Sequence, residues 1–143
     1  MLNKNLLYVL TVLESIEKIF IYTKEFNNSE EFFNNDDQKN FNAVINLLMA
    51  IGEDSKKLDE SFKKRFPKIN WYAIISLRNE LAHNYRGIDA DIIWDIVQNY
   101  LDDLKHAFID IFTQINKKGI KRELKKILNN EYYSHIKYLI NKI

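Results

Sequence analysis

A chain of 143 residues with 46% hydrophobic and 13% aromatic content can bury a sizeable core, and its length favours a single domain. Three glycines, one proline and no cysteine exclude a turn-rich all-β protein, a disulfide framework, a thiol nucleophile and a thiolate metal site. The net charge of +1 conceals an acidic body, with 13 Lys and Arg against 18 Asp and Glu in residues 1–115, and a basic tail, with 8 against 2 in residues 116–143. A body of net −5 excludes nucleic-acid binding by bulk charge, so any such contact must be local or borrowed from the +6 tail.

Leu2, Leu6, Val9, Leu13, Ile16 and Phe20 recur at spacings of three and four, which predicts an amphipathic helix from Leu2 to about Phe26. Glu14, Glu17 and Lys18 interrupt its apolar run and no small-residue cleavage site follows, so the expected location is cytoplasmic. Asn27-Asn28-Ser29 and Asn34-Asn35-Asp36-Asp37 are turn-forming clusters, with Phe32 and Phe33 on a short helical turn between them. From Asp37, the series Phe41, Val44, Leu48, Ile51, Leu58 and Phe62 predicts a second long helix to about Arg65, ended by Pro67. Its most apolar stretch, Ala43 to Ile51, contains Asn46 and is far shorter than the ~20 residues that span a bilayer, so no membrane partner is expected.

Asn70 is a suitable N-cap for a shorter helix with Trp71, Ile74, Ile75, Leu77 and Leu81 turned inward, and Asn84 and Gly87 suit its exit. Asp89 or Asp91 then caps a fourth helix carrying Ile92, Ile93, Ile96, Val97, Tyr100, Leu101, Leu104, Phe108, Ile111 and Ile115 on its inner side. In the tail, Ile120, Leu124, Ile127 and Leu128 form one stripe and Tyr132, Ile136, Leu139 and Ile143 another, separated by Asn129-Asn130. The expected fold is all-α: an antiparallel four-helix bundle over 1–115, with short additional C-terminal helices in a basic extension, 116–143, packed on the same domain. Lys117, Lys118, Lys121, Arg122, Lys125 and Lys126 read first as a solvated helix face and second as a guide for a nucleic acid.

The segment Arg78-Asn79-Glu80-Leu81-Ala82-His83-Asn84-Tyr85 gathers chemically able side chains at a helix end. Arginine offers a permanently charged planar fork to phosphate oxygens, and histidine titrates near neutrality. Together they permit RNA transesterification without a metal or cofactor: His83 as base or acid, Arg78 stabilising the phosphorane, Asn79 orienting His83 or donating to a phosphate oxygen. Asn79 and His83, four apart, share a helix face, whereas Arg78 and His83, five apart, lie about 140° around the axis, so a second subunit is one way to complete the site. Each residue has a plainer reading as well. His83 at a helix C-terminus gains from the macrodipole, and Tyr85 is a half-buried aromatic with a wet hydroxyl. Glu53 either buttresses Arg78 or His83 or stands exposed beside Lys56 and Lys57, while Trp71 and Trp94 read as core anchors.

The motif and its flanks, Pro67, Trp71, Ile74, Leu77, then Gly87, Asp89, Trp94, Ile96 and Val97, with Ile51-Gly52-Glu53 and Lys57-Leu58 upstream, closely resemble the HepT toxins of the HEPN superfamily over residues 2–115. The resemblance implies a homodimer that juxtaposes its motifs across a cleft and an RNA substrate cleaved through Arg78 and His83, with Asn79 and Glu53 supporting. It further implies a toxin of a type VII-like toxin–antitoxin pair, silenced when a cognate MntA-type nucleotidyltransferase antitoxin AMPylates Tyr85. The alternative is a non-catalytic substrate-binding or regulatory subunit of such a nucleotidyltransferase.

Overall fold

The computed structural model describes residues 4–141, so Leu2 and Ile143, the outer members of two predicted stripes, lie outside the described residues. Regular structure among the described residues is entirely helical. Helix α1 (Lys4–Thr23) buries Leu6, Val9, Leu13, Ile16 and Ile19 completely, as the three-and-four spacing requires. It runs antiparallel to α3 (Lys39–Lys57), tied at one end by Asn5 to Asp59 and at the other by Asn40, whose amide donates to the Tyr22 carbonyl at 2.9 Å. Between them α2 (Ser29–Asn34) is capped by Asn28 and delivers Phe32 into an aromatic cluster with Phe26, Phe41 and Trp94. The Trp94 ring lies 5.6 Å from that of Phe32, which makes it a core anchor. The link into α3 is tight, with Asp36, Asp37 and Gln38 at φ of 48°, 54° and 67°, a region that Asp tolerates better than most residues.

Two predicted helices are each divided in two. The second does not reach Arg65: α3 stops at Lys57, Leu58 is extended at ψ 142°, and a single turn, α4 (Glu60–Lys63), follows. The break is held from outside, because the Asn5 amide donates to the Asp59 carboxylate at 2.9 Å and its oxygen accepts from the Asp59 N–H at 3.2 Å. It also leaves Leu58 and Phe62 both in the core. The fourth predicted helix divides at Tyr100, with φ −122° and ψ −30°, into α6 (Ala90–Asn99) and α7 (Leu101–Gln114). Asp89, not Asp91, is the cap, its side chain accepting from the Asp91 N–H. Ile93, Val97, Leu101, Phe108 and Ile111 carry the buried stripe, while Ile92 and Tyr100, both expected inside, are 57% and 62% exposed.

Helix α5 (Trp71–His83) packs on α3, α7 packs on α1, and the start of α5 meets α7 where Trp71 lies against Phe108. Beyond α7, helix α8 (Lys121–Leu128) packs on α9 (Lys137–Ile140) and on the 3₁₀ turn Glu131–Tyr133, and that turn, His135 and Tyr138 return to α1. Ile120, Leu124, Ile127, Ile136 and Leu139 are buried. Glu14 of α1, only 4% exposed, accepts from both the backbone N–H and the Nδ1 of His135 at 2.7 Å. Lys105 of α7 and the Tyr138 hydroxyl meet on Glu17. Burial works against the Lys105 charge, but the hydrogen bond and charge of Glu17 hold its pKa above the ordinary value. No helix among the described residues is long and apolar enough to cross a membrane.

Ile136 is fully buried and Tyr132 is 78% exposed, which separates their expected costs. Ile136→Ala should lower unfolding free energy by ~2–5 kcal/mol, and Tyr132→Ala should stay within ~0.5 kcal/mol, both read from urea denaturation. Equal midpoints for the two variants would contradict the docking of this segment.

Candidate active site

The site is built on α5, which starts where the Asn70 side chain accepts from the Ala73 N–H at 3.0 Å. Trp71 anchors that end: its Nε1 donates to the Lys63 and Phe66 carbonyls, and its ring meets Phe108 edge-on at 5.9 Å. Only Leu81 is fully buried; Ile74, Ile75 and Leu77, expected inside, are half-buried, and Tyr72 is 83% exposed. A helix that packs along its length on α3 alone, meeting α7 only at Trp71, needs a narrow apolar stripe, so the remainder of its predicted inner face reaches the surface.

The approach of α5 to α3 is very close at Gly52. A Cβ on Gly52 would fall 2.3 Å from the Cβ of Arg78 and 3.0 Å from the Ile74 carbonyl oxygen, so no side chain fits there. One residue along, Glu53 Oε2 meets Arg78 Nε at 3.1 Å, with the two side chains 40% and 33% exposed. The guanidinium also donates to Asn79 Oδ1 at 3.2 Å. Of the five N–H donors of arginine, these contacts engage one on Nε and one on Nη1 and leave others to meet a ligand. Beside Glu53, burial pushes the Asp54 carboxyl up from its ordinary pKa, Lys57 pulls it down, and the Glu53 charge adds to the rise.

His83 is the last residue of α5 and is exposed. Among the described residues no hydrogen bond or ion pair claims its ring, and none links it to Arg78. The chain then leaves through Asn84, whose N–H bonds the Glu80 carbonyl at 2.9 Å and whose amide donates to Glu80 Oε1 at 3.2 Å. The 3₁₀ turn Tyr85–Gly87 follows. Gly87 is there for space rather than for a left-handed cap, since a Cβ would stand 2.6 Å from Asn84 Oδ1. Tyr85 is 45% exposed, and its hydroxyl donates to Asn42 Oδ1 on α3.

One chain therefore brings Arg78, Glu53 and Asn79 into one hydrogen-bonded group and Tyr85 against Asn42, and leaves His83 apart at the helix end. Asn42 was not singled out from the sequence. The signal was present, because Asn42, Asn46, Met49 and Glu53 recur at four, three and four and mark a second stripe on α3. No group of three or more His, Asp or Glu among the described residues is placed to hold a metal ion.

An all-α bundle whose edge helix ends in an accessible Arg, His and Tyr set defines a class of small helical domains with a polar site at one helix end. Within that class, the chain belongs to the Ribonuclease HepT-like family of the HEPN superfamily, whose model matches residues 12–111. Among its relatives, Putative RNase MJ0127 of Methanocaldococcus jannaschii is 37% identical over 99 residues, covering 68% of this chain and 79% of that protein. Probable ribonuclease HepT of Thermococcus cleftensis is 36% identical over 101 residues, covering 71% of this chain and 89% of that protein. No solved structure matches the chain significantly.

The tightness at Gly52 gives a direct test of what positions Arg78. Gly52→Ala should force α5 off α3 and lower stability by ~1–3 kcal/mol, the usual cost of overpacking. A melting temperature equal to that of the parent protein would show that α5 does not depend on this contact.

Proposed function

We propose that this protein is a metal-independent endoribonuclease and the toxin of a type VII-like toxin–antitoxin pair. Cleavage proceeds by transesterification: a base takes the 2′-hydroxyl proton, the O2′–P bond forms, and the P–O5′ bond breaks as an acid protonates the leaving oxygen. The products are a 2′,3′-cyclic phosphate and a 5′-hydroxyl. His83 is the proton-transfer group, since its unperturbed pKa range lies near neutrality. Arg78 supplies charge to the phosphorane, with Glu53 fixing one edge of the guanidinium and Asn79 a second contact. The observation that carries this reading is that pairing: an anchored guanidinium on the same helix whose last residue is an exposed histidine.

Transesterification needs a base and an acid, and each chain offers one motif histidine, so the working unit is a homodimer with the two α5 ends facing one cleft. The half-buried flank of α5 and the exposed Tyr72 support a partner on that side. Tyr85 is the regulatory residue. An MntA-type nucleotidyltransferase antitoxin transfers AMP from ATP to its phenolic oxygen, which loses its proton as pyrophosphate leaves, and the added phosphate repels the RNA backbone beside His83. The modified oxygen can no longer donate to Asn42, so AMPylation also severs the link from this turn to α3.

His83→Ala should cut cleavage of a labelled RNA pool by about 10²- to 10⁴-fold, the usual worth of general acid–base catalysis, with unchanged circular dichroism. Arg78→Ala should lose a comparable share, EDTA should leave the parent rate unaltered, and light scattering should report twice the 17.1 kDa chain mass. Full-rate cleavage by either variant would remove that residue from the mechanism. Co-expression with the cognate nucleotidyltransferase should add AMP increments to the intact mass, all lost in Tyr85→Phe, which keeps its ribonuclease activity. Fragment spectra that place the AMP on another tyrosine, such as Tyr132 or Tyr133, would overturn the regulatory assignment.

A further inference from the structure

The charge of the body is unevenly laid out. Residues 61–78 carry Lys63, Lys64, Arg65, Lys68 and Arg78 and no Asp or Glu, a net of +5, while the remainder of residues 1–115 is −10. This acid-free segment runs through α4, past Pro67 and along α5 to Arg78. Within it lies an open cleft of about 330 Å³ between α4 and α5, inside the ~300–1,000 Å³ range of small-ligand sites. Its wall is apolar, formed by Pro67, Ile69, Trp71 and Ile75, and its rim bears Glu60 and Lys64. Glu60 is engaged by Lys63 Nζ at 3.1 Å, and Lys63 itself is buried with a second bond to the Lys56 carbonyl. Lys64, Arg65 and Lys68 are exposed, and no carboxylate among the described residues pairs with them.

Position along α5 connects the cleft to the catalytic group. Trp71, Ile75 and Arg78 are four and three residues apart and so share one side of the helix, with Arg78 about 10 Å beyond Trp71 at 1.5 Å per residue. A short run of nucleotides spans that distance. An apolar wall with Lys64 on its rim, where Glu60 is already paired with Lys63, suits an unstacked base and its phosphate, the usual way in which single-stranded RNA is held.

We propose that the cleft between α4 and α5 is a subsite for single-stranded RNA, taking one unpaired base against Pro67, Trp71 and Ile75 while its phosphates follow Lys64 and Lys68 toward Arg78. The inference rests on the ribonuclease reading and deepens it by assigning the RNA path. The larger basic patch on α8 serves less well, because the extension joins the bundle through Glu14 and Glu17 of α1, whereas α5 joins it through α3 and, at Trp71, through Phe108 of α7. Its lysines are a solvated face.

The test is binding of fluorescein-labelled decauridylate to full-length protein in a His83→Ala background, measured by anisotropy across a salt series. Lys64→Glu with Lys68→Glu should weaken binding at least tenfold and flatten the slope of log K against log salt by about 1.4, from ~0.7 per lost single-strand contact. Lys121→Glu with Lys125→Glu on α8 should change affinity less than twofold. A decauridylate carrying 4-thiouridine should crosslink to the segment from Pro67 to Ile75. Binding within twofold of the parent after reversal at Lys64 and Lys68, or loss confined to the α8 variant, overturns the cleft while leaving the ribonuclease reading intact. A parent protein that binds no decauridylate and cleaves no RNA overturns both.

Discussion

The contact of α3 with α5 at Gly52 governs the geometry of the candidate site. A helix pair normally keeps its axes 8–10 Å apart because side chains fill the seam, and removing one side chain lets Arg78 close onto α3. Everything polar on that edge follows from the closure. Glu53 comes within reach of the guanidinium, Asn42 comes within reach of the Tyr85 hydroxyl ten residues back along α3, and the free end of α5 is left carrying His83. The arrangement is antiparallel, so a shift of α5 along α3 would break both polar links together.

The Glu53–Arg78 pair is partly wet, and exposed ion pairs contribute little to stability, typically ~0–1 kcal/mol. Its value is orientation. An arginine free to sample its rotamers would lose conformational entropy on meeting a phosphate, and one already held along an edge loses less. The same economy applies at the helix exit. Asn84 and Glu80 bond each other across one turn, and Gly87 clears the space that this amide occupies, so the backbone around His83 is fixed while its ring stays in solvent.

Much of this was legible in the chain. The spacing of Leu6, Val9, Leu13 and Ile16 marks α1, Asn70 and Asp89 are recognisable caps, and the Arg78 to Tyr85 segment carries the resemblance to its family. The failures have specific causes. Periodicity cannot see a break that keeps the stripe in register, so Leu58 and Leu101 stayed buried on either side of interruptions at Asp59 and Tyr100. The break after Leu58 depends on Asn5, 54 residues away, and such a tertiary contact leaves no local trace. The half-exposed residues of α5 have the same origin: the sequence shows which residues are apolar, not how many neighbours a helix will have. The Glu53 question was open for the same reason, because its pairing is decided by a helix that begins 18 residues later.

The pairing of Glu14 with His135 bears on how the molecule is made. Glu14 lies on the first helix among apolar neighbours, and the groups that satisfy it come 121 residues later. At ~5–20 residues per second, ribosomal synthesis leaves that carboxylate without its partner for on the order of ten seconds. During this interval the family-matching segment, residues 12–111, is already complete in sequence but holds an acid whose native partner has not been synthesised. Closure of the first helix thus waits for residue 135, so a nascent fragment containing Arg78 and His83 precedes the finished bundle. A core that completes only after residue 135 therefore keeps the bundle around Arg78 and His83 from its final order until the segment that carries His135 has been made.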